Sequence, residues 1–382
     1  MTRRGWAALA VLVTSAVSAL SLGNALYMYV ALLMALVFAY AFSTCLWARL
    51  TARCGQRLSS ASVPRGEKVT LRVSAEHRCP LPVSGMRGVF LYNGQEQECV
   101  FPTRPFRAQE RRLPMDARHV GIYDTGLRNV SVSDIFGLFR FRVPIQEGST
   151  LTVLPRPFDV EKPRMILGDE GSAVLARSQE DYNAPDDVRA YRTGDAMKRI
   201  HWKLSSRKRE LVVRRFETPA PPDTLILLDC NEPLGGENIN EGKECLRDAM
   251  CETAVAVARM QMEDGSPVRL PMYGKQANEF SSDQAEGLAL LQEMLASQPF
   301  GAGEDFARVL NLELRRMRRT GAAVVITTRL DAQVVEGVTH IRRMGPSARL
   351  YLVTYTPEAP EYQPYVARLQ HHLVEVCYVT PA

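Results

Sequence analysis

A 17-residue stretch without a charge, Trp6 to Leu22, is followed after only Gly23 and Asn24 by a 23-residue stretch without one, Ala25 to Trp47. No other feature constrains the chain as strongly. At a helical rise of about 1.5 Å per residue the second run spans roughly 34 Å, enough to cross a bilayer core. The first is shorter and diluted by Thr14, Ser15, Ser18 and Ser21. Arg3 and Arg4 precede the pair and Arg49, Arg53 and Arg57 follow it, while residues 1–60 hold no acid. Positive flanks at both outer ends of an uncharged hairpin predict that both ends face the cytoplasm, and residues 48–382 with them. Tyr27, Tyr29, Tyr40, Trp6 and Trp47 include interfacial anchors for such a hairpin. The competing reading is a cleaved signal peptide, with Arg3 and Arg4 as its positive start and small residues around Ser18 and Ala19 as its cleavage site. The second run and the arginines beyond it favour a two-span hairpin over residues 1–50.

Those arginines also explain the overall charge. Without the five of them the 47 basic residues become 42, equal to the 42 acidic ones, so the formal charge of +5 belongs to the N-terminal segment. That argues against a chain built as a whole to bind nucleic acid and leaves the lipid bilayer as the partner of the basic segment. The eight cysteines show no C-x-x-C spacing and no histidine at zinc-finger distance, as expected of free thiols in a reducing compartment.

Over residues 51–160 the pattern is short and alternating. Val69, Leu71 and Val73, then Val89 to Tyr92, then Val130 and Val132, then Phe139, Phe141 and Val143 are separated by glycine and proline turns, which predicts a small antiparallel β-sandwich. Over residues 218–382 buried-strand runs (TLILLD, AAVVITT, RLYLVTY, LVEVCYV and a weaker PVRLPMY) alternate with helical stripes such as Leu246, Met250, Ala254, Val257 and Met260. This predicts an α/β, doubly wound domain with a mainly parallel sheet. Helices are expected over Asp283–Ala296, Glu304–Arg319, Ala332–Met344 and Tyr362–Gln370.

Residues 161–217 link the two, and Arg177 to Glu217 within them is the most charged part of the chain. Thr193-Gly194-Asp195 reads as a turn and helix cap; Met197, Ile200 and Leu204 recur at helical spacing, with Lys198, Arg199, Lys203 and Arg207 on other faces; a strand follows from Leu211 to Phe216. The run VRAYRTGDAMKRIHWKLSSRKRELVVRRFE resembles the signature of domain-of-unknown-function family 58, found in bacterial and archaeal membrane-anchored proteins. GIYDTGLRNVSVSDIFGLFRFR is similar to the segment this family carries upstream, with Ile135 where proline is more usual, and LTVLPRP looks like its strand before a proline. The resemblance implies a von Willebrand factor type A-like C-terminal domain and, as partners, a MoxR-type AAA+ ATPase and a transglutaminase-like membrane protein. It implies no established activity, and suggests a chaperone-like assembly or adaptor role carried by protein–protein interaction.

Within the signature, Arg189, Tyr191, Arg192, Gly194, Asp195, Arg199, His201, Trp202, Lys203 and Arg207 are the candidate interaction residues. The expectation is that they join the two domains, with Trp202 buried there, His201 as its polar partner, and the arginines paired with Asp181, Asp186 and Asp187. Asp229 and Asp331 are the candidate metal ligands. A type A domain holds Mg²⁺ through D-x-S-x-S after its first strand, whereas here Asp229 is followed by Cys230-Asn231-Glu232-Pro233, so both serine hydroxyls are replaced. Glu304, Asp305 and Asp331 could compensate. The expectation is a degenerate site, no resident cofactor and no enzyme, set against a metal-dependent hydrolase using Asp229 and Asp331. No nucleophile elbow or phosphate loop occurs. Arg315, Arg316, Arg318 and Arg319 read as a solvated helix end, and His371-His372 as a helix terminus.

Overall fold

The computed structural model describes residues 1–381 apart from 103, 146–147, 161–186, 193–196, 198–199, 216–221, 234–238, 274–276, 302–303 and 318–319. Contacts divide the chain into two units, Met1–Leu154 and Pro155–Ala382. The boundary expected near residue 160 falls at Leu154, and the signature belongs to the second unit.

The first unit opens with α1 (Arg3–Leu22) and α2 (Ala25–Thr51). Gly23 reverses the chain in the left-handed region, φ 58°, and Asn24 starts α2 by accepting from the Leu26 amide at 3.0 Å. Both helices are long and apolar enough to cross a membrane. A core helix of a water-soluble domain hides its side chains, yet only 6% of the most apolar stretch of α2 is buried.

Nine strands follow: β1 (Arg53–Leu58), β2 (Ser62–Pro64), β3 (Lys68–Glu76), β4 (Val83–Tyr92), β5 (Gln95–Phe101), β6 (Gln109–Asp116), β7 (Gly121–Asp134), β8 (Arg140–Arg142) and β9 (Ser149–Leu154). One sheet has the order β1-β3-β6 and the other β2-β9-β7-β4-β5, with β8 beside β7. Pairing is antiparallel except between β2 and β9. The alternation read from the sequence gives β3 one wholly buried face, Val69, Leu71, Val73 and Ala75, sharing a core with Leu127, Val130, Val132, Leu151 and Val153. Cys45, Ala48 and Ala52 join that core, so the end of α2 is part of the β unit. Phe139 and Phe141 meet Phe42 of α2 edge-to-face, with ring centres 5.5 and 6.0 Å away.

The second unit begins with β10 (Asp187–Ala190), α3 (Trp202–Lys208) and β11 (Val212–Arg215). It continues as β12 (Asp223–Leu228), α4 (Ile239–Glu263), β13 (Val268–Tyr273), β14 (Ala277–Ser282), α5 (Gly287–Ser297), α6 (Phe306–Arg316), β15 (Thr320–Thr327), α7 (Ala332–Arg343), β16 (Ser347–Val353), α8 (Gln363–His371) and β17 (Glu375–Val379). The sheet order is β14-β13-β12-β15-β16-β17, parallel throughout except for the β13–β14 hairpin. Ile226, Leu228, Val324 and Ile326 face α4 and α5, while Leu225, Leu227, Ala323 and Val325 face α6, α7 and α8. Burial on both faces is why these strands read as continuous apolar runs. The edge strand β14, ANEFSS, buries only Phe280 and has no such signature.

Arg315 is exposed in the last turn of α6, as the solvated-helix-end reading expects, and Arg318 and Arg319 lie outside the described residues; Arg316 is exposed there too but is also engaged. It and Arg269 of β13 hold Glu313, fully buried on α6, at 2.7 and 2.8 Å. Arg316 also reaches Glu279 on β14 at 2.8 Å, and the Tyr273 hydroxyl donates to Glu313. This network ties the edge hairpin to α6.

Candidate functional site

Strand order in the second unit reverses between β12 and β15. In open α/β sheets the crevice beyond the C-terminal ends of such strands is where ligands bind. Asp229 follows β12 there and Thr327 ends β15. Asp229 is 2% exposed. One of its oxygens accepts from the Asn231 amide at 3.0 Å and the other from the Thr327 hydroxyl at 2.8 Å. Thr327 Oγ1 in turn accepts from the Arg329 amide at 3.0 Å, and the Arg329 guanidinium donates to the Glu232 carbonyl. Burial raises the Asp229 carboxyl above the ordinary aspartate range, opposed by the Asn231 and Thr327 hydrogen bonds and by the charge of Arg329.

The neighbouring groups are similarly committed. Burial and the adjacent Asp229 push the Cys230 thiol up to about 12, so it is no nucleophile at neutral pH. Glu232 pairs with Lys243 at 3.1 Å and Arg247 at 3.6 Å, and the Lys243 hydrogen bond lowers its pKa. Asp331 caps α7, accepting from the Val334 amide at 2.8 Å. Glu304 and Asp305 are exposed. Among the described residues no group of three or more His, Cys, Asp or Glu is placed to hold a metal ion. The residues present do not fit a divalent-cation site: the protein's own donors engage both Asp229 oxygens, a guanidinium stands beside them, and Asp331 is spent on a helix cap.

The signature forms a small module around the β10–β11 ladder, in which Arg189 pairs with Val213 and Ala190 with Val212. The Tyr191 amide donates to the Leu211 carbonyl at 2.8 Å and the His201 amide to Val212 at 2.8 Å. Ser205 accepts from the Val212 amide at 2.9 Å, and Ile200, Ser205, Val212 and Val213 are buried. The helix is shorter than its periodicity predicts. Ile200 bridges to Val213 in extended conformation, Met197 is exposed, and α3 starts at Trp202. His201 is its cap, with Nδ1 accepting from the Leu204 amide at 3.3 Å. That bond occupies the lone pair a general base would use.

Trp202 is not buried: it is 63% exposed, and Lys203, Arg207 and Arg192 are exposed as well. Gly194, Asp195 and Arg199 lie outside the described residues, as do Asp181 and Asp186, so the expected pairing of arginines with those acids does too. Sequence reasoning missed Thr327 and Arg329. The only available signal was a polar residue ending an otherwise apolar strand, at the position across the sheet from Asp229.

Residues 187–351 match the family model described as "Protein of unknown function DUF58". The match takes in the signature, the switch point and most of the second unit's sheet, and leaves out the whole first unit, α1 and α2 included, and the chain after residue 351. The chain is also 19% identical over 325 residues to "Uncharacterized protein YeaD" of Bacillus subtilis (strain 168), covering 80% of this chain and 76% of that protein. Among solved structures it is similar to the CARDB domain of PF1109 from Pyrococcus furiosus, with 13% identity, a TM-score of 0.21, and coverage of 27% of this chain and 94% of that one. It is also similar to the sporulation control protein Spo0M of Bacillus subtilis, with 10% identity, a TM-score of 0.13, and coverage of 37% and 58%. At those scores neither likeness bears on fold or function.

Proposed function

We propose that this chain is a membrane-anchored, non-catalytic interaction protein, and that its second unit is a von Willebrand factor type A-like domain working with protein partners in the cytoplasm. The observation that carries the reading is the closure of the switch-point carboxylate: Asp229 is held by Thr327 and Asn231, beside Arg329, where a catalytic or adhesive type A domain would need open oxygen ligands. In chain order the six strands run third, second, first, fourth, fifth, sixth across the sheet, the third antiparallel, which supports the type A-like fold. The exposed Met197, Trp202, Lys203, Arg207 and Leu211 give the signature module an apolar and basic outer surface, the composition of a protein-binding patch. The family resemblance supplies the partner class, a MoxR-type AAA+ ATPase, with a transglutaminase-like membrane protein as a second component. Anchoring rests on α1 and α2, and the cytoplasmic placement of both chain ends on the arginines flanking them.

The test is binding of the full chain in lipid nanodiscs to the MoxR-type ATPase of the same genome. Association should persist in chelator and weaken by about tenfold or more when Trp202→Ala and Arg207→Glu are combined. Association that needs Mg²⁺ and disappears in Asp229→Ala would overturn the closed-carboxylate reading, and Mg²⁺-dependent hydrolysis lost in the same variant would overturn it in favour of a metal-dependent hydrolase.

A further inference from the structure

The turn joining β7 to β8 carries two large apolar side chains in the open, Ile135 at 54% and Phe136 at 49% exposure. Its place against the helices is what gives them meaning. Thr2, the cap of α1, accepts from the Gly5 amide, donates its own amide to the Leu138 carbonyl at 3.0 Å, and directs its hydroxyl to the Gly137 carbonyl. A side chain on Gly5 would lie 2.3 Å from the Leu138 oxygen, so α1 sits directly on the turn. On α2, Tyr40 meets Phe136 with ring centres 6.5 Å apart, and Phe38 meets Phe139 at 5.8 Å.

These contacts fix a depth. Gly5 and Phe42 each lie about 26 Å along their helices from the Gly23–Asn24 connection, and Phe38 about 20 Å, against a hydrocarbon thickness of about 30 Å. A turn that touches Gly5, Phe38 and Tyr40 therefore stands about 4–10 Å inside the near edge of the hydrocarbon when the connection lies at its far edge.

The backbone of the turn is also prepared for such a place. Asp134, 1% exposed, accepts from the Phe136 amide at 2.9 Å and the Phe139 amide at 2.6 Å, and its carbonyl accepts from Gly137 at 3.1 Å. Thr2 takes the carbonyls of Gly137 and Leu138. Irregular backbone survives at membrane depth only where its polar groups are paired within the protein, as the Phe136, Gly137 and Phe139 amides and the Gly137 and Leu138 carbonyls are. Arg4 reaches the turn, its Nη1 4.0 Å from where a side chain on Gly137 would begin; Arg3 beside it on α1 and Arg140 and Arg142 on β8, the strand that follows the turn, are exposed, and the Arg49 guanidinium lies 5.7 Å from the centre of the Phe141 ring.

We propose that the β7–β8 turn is a membrane-inserted wedge: Ile135 and Phe136 enter the headgroup and upper acyl region of the bilayer that α1 and α2 cross, and the surrounding arginines engage anionic headgroups. The proposal rests on the membrane-spanning reading of the two helices. Burying the two side chains in lipid, with cations at the headgroup level, is the recipe of interfacial anchors. It adds a third point of attachment and fixes the tilt of the β unit against the membrane.

The test uses the full chain in nanodiscs containing phosphatidylglycerol. A polarity-sensitive fluorophore is attached to Ile135→Cys, to Leu33→Cys in the middle of α2, and to Ser60→Cys on the exposed surface of the β unit, with labelled wild type as the blank. The expected result is blue-shifted emission at Ile135, quenched by lipids spin-labelled near the headgroup at least about twofold more than at Ser60. That quenching should decline when Arg140→Glu and Arg142→Glu are combined or when the lipid is wholly zwitterionic. Leu33 should be quenched by deeply labelled lipids. Leu33 quenched with Ile135 behaving like Ser60 would overturn the wedge and leave the spans intact, whereas an unquenched Leu33 would overturn both.

Discussion

Asp229 shows how one residue's environment can be read as a testable preference. Burial lifts its pKa, so folding favours the protonated acid and ionisation at neutral pH costs stability. That cost is present above the folded pKa and disappears as the pH falls towards the unfolded value of about 3.9. Asp229→Asn, which never ionises, should be at least as stable as wild type at neutral pH, with the difference closing on acidification. Thermal denaturation of the detergent-solubilised chain over a pH series measures it. Removing the hydroxyl partner is different: Thr327→Val leaves a buried carboxylate without its donor and should cost about 1–3 kcal/mol. Trp202, by contrast, is exposed, so Trp202→Ala should change stability by no more than about 0.5 kcal/mol while removing its contact with a partner.

At the scale of elements, the β13–β14 hairpin and α6 are joined by a charged network. Glu313 is fully buried between Arg269 and Arg316, so Glu313→Ala strands a largely buried guanidinium and should cost about 3–5 kcal/mol in a denaturation experiment. Asp331 discriminates cap from ligand. As the N-cap of α7 its replacement by alanine should cost about 1 kcal/mol, with no change in affinity for Mg²⁺ by calorimetry. A Mg²⁺ affinity that falls in Asp331→Ala would instead make it a ligand. In the first unit, Gly5 admits the close approach of α1 to the β7–β8 turn. Gly5→Val should weaken that joint and expose the 135–139 turn to proteolysis.

For the whole molecule the controlling quantity is orientation in the bilayer. On the proposed anchoring, five arginines and no acid in the first 60 residues predict that both chain ends lie on the cytoplasmic side. A C-terminal fluorescent-protein fusion should therefore fluoresce and a C-terminal alkaline phosphatase fusion should be inactive. The opposite pair of results, or a mature chain beginning after Ala19, would reverse the assignment. The end of α2 joins the core of the β unit, so the apolar helices and the two sheets form one folded unit rather than a tether and a cargo.

Much of this was legible from periodicity alone. Apolar length and flanking charge determine the two helices; alternation at Val69, Leu71 and Val73 determines a half-buried strand; continuous runs such as TLILLD determine a sheet covered on both faces, because each pattern follows from local geometry and burial. The signature motif, VRAYRTGDAMKRIHWKLSSRKRELVVRRFE, was equally local, and residues 187–351 match the family it resembles. What the sequence could not decide depended on partners distant along the chain. β14 is a strand because β13 offers it an edge, not because ANEFSS prefers one. The periodic Ile200 lies outside α3 because Val213 claims it for a bridge, and Met197 before it sits in a 3₁₀ turn rather than an α-helix. Phe139 and Phe141 alternate like core residues but turn towards α2, whose own phenylalanines lie about 100 positions earlier. Asp229 was visible as a surviving acidic ligand, and only the neighbouring strand, which brings Thr327 and Arg329 beside it, decided that its oxygens are already taken.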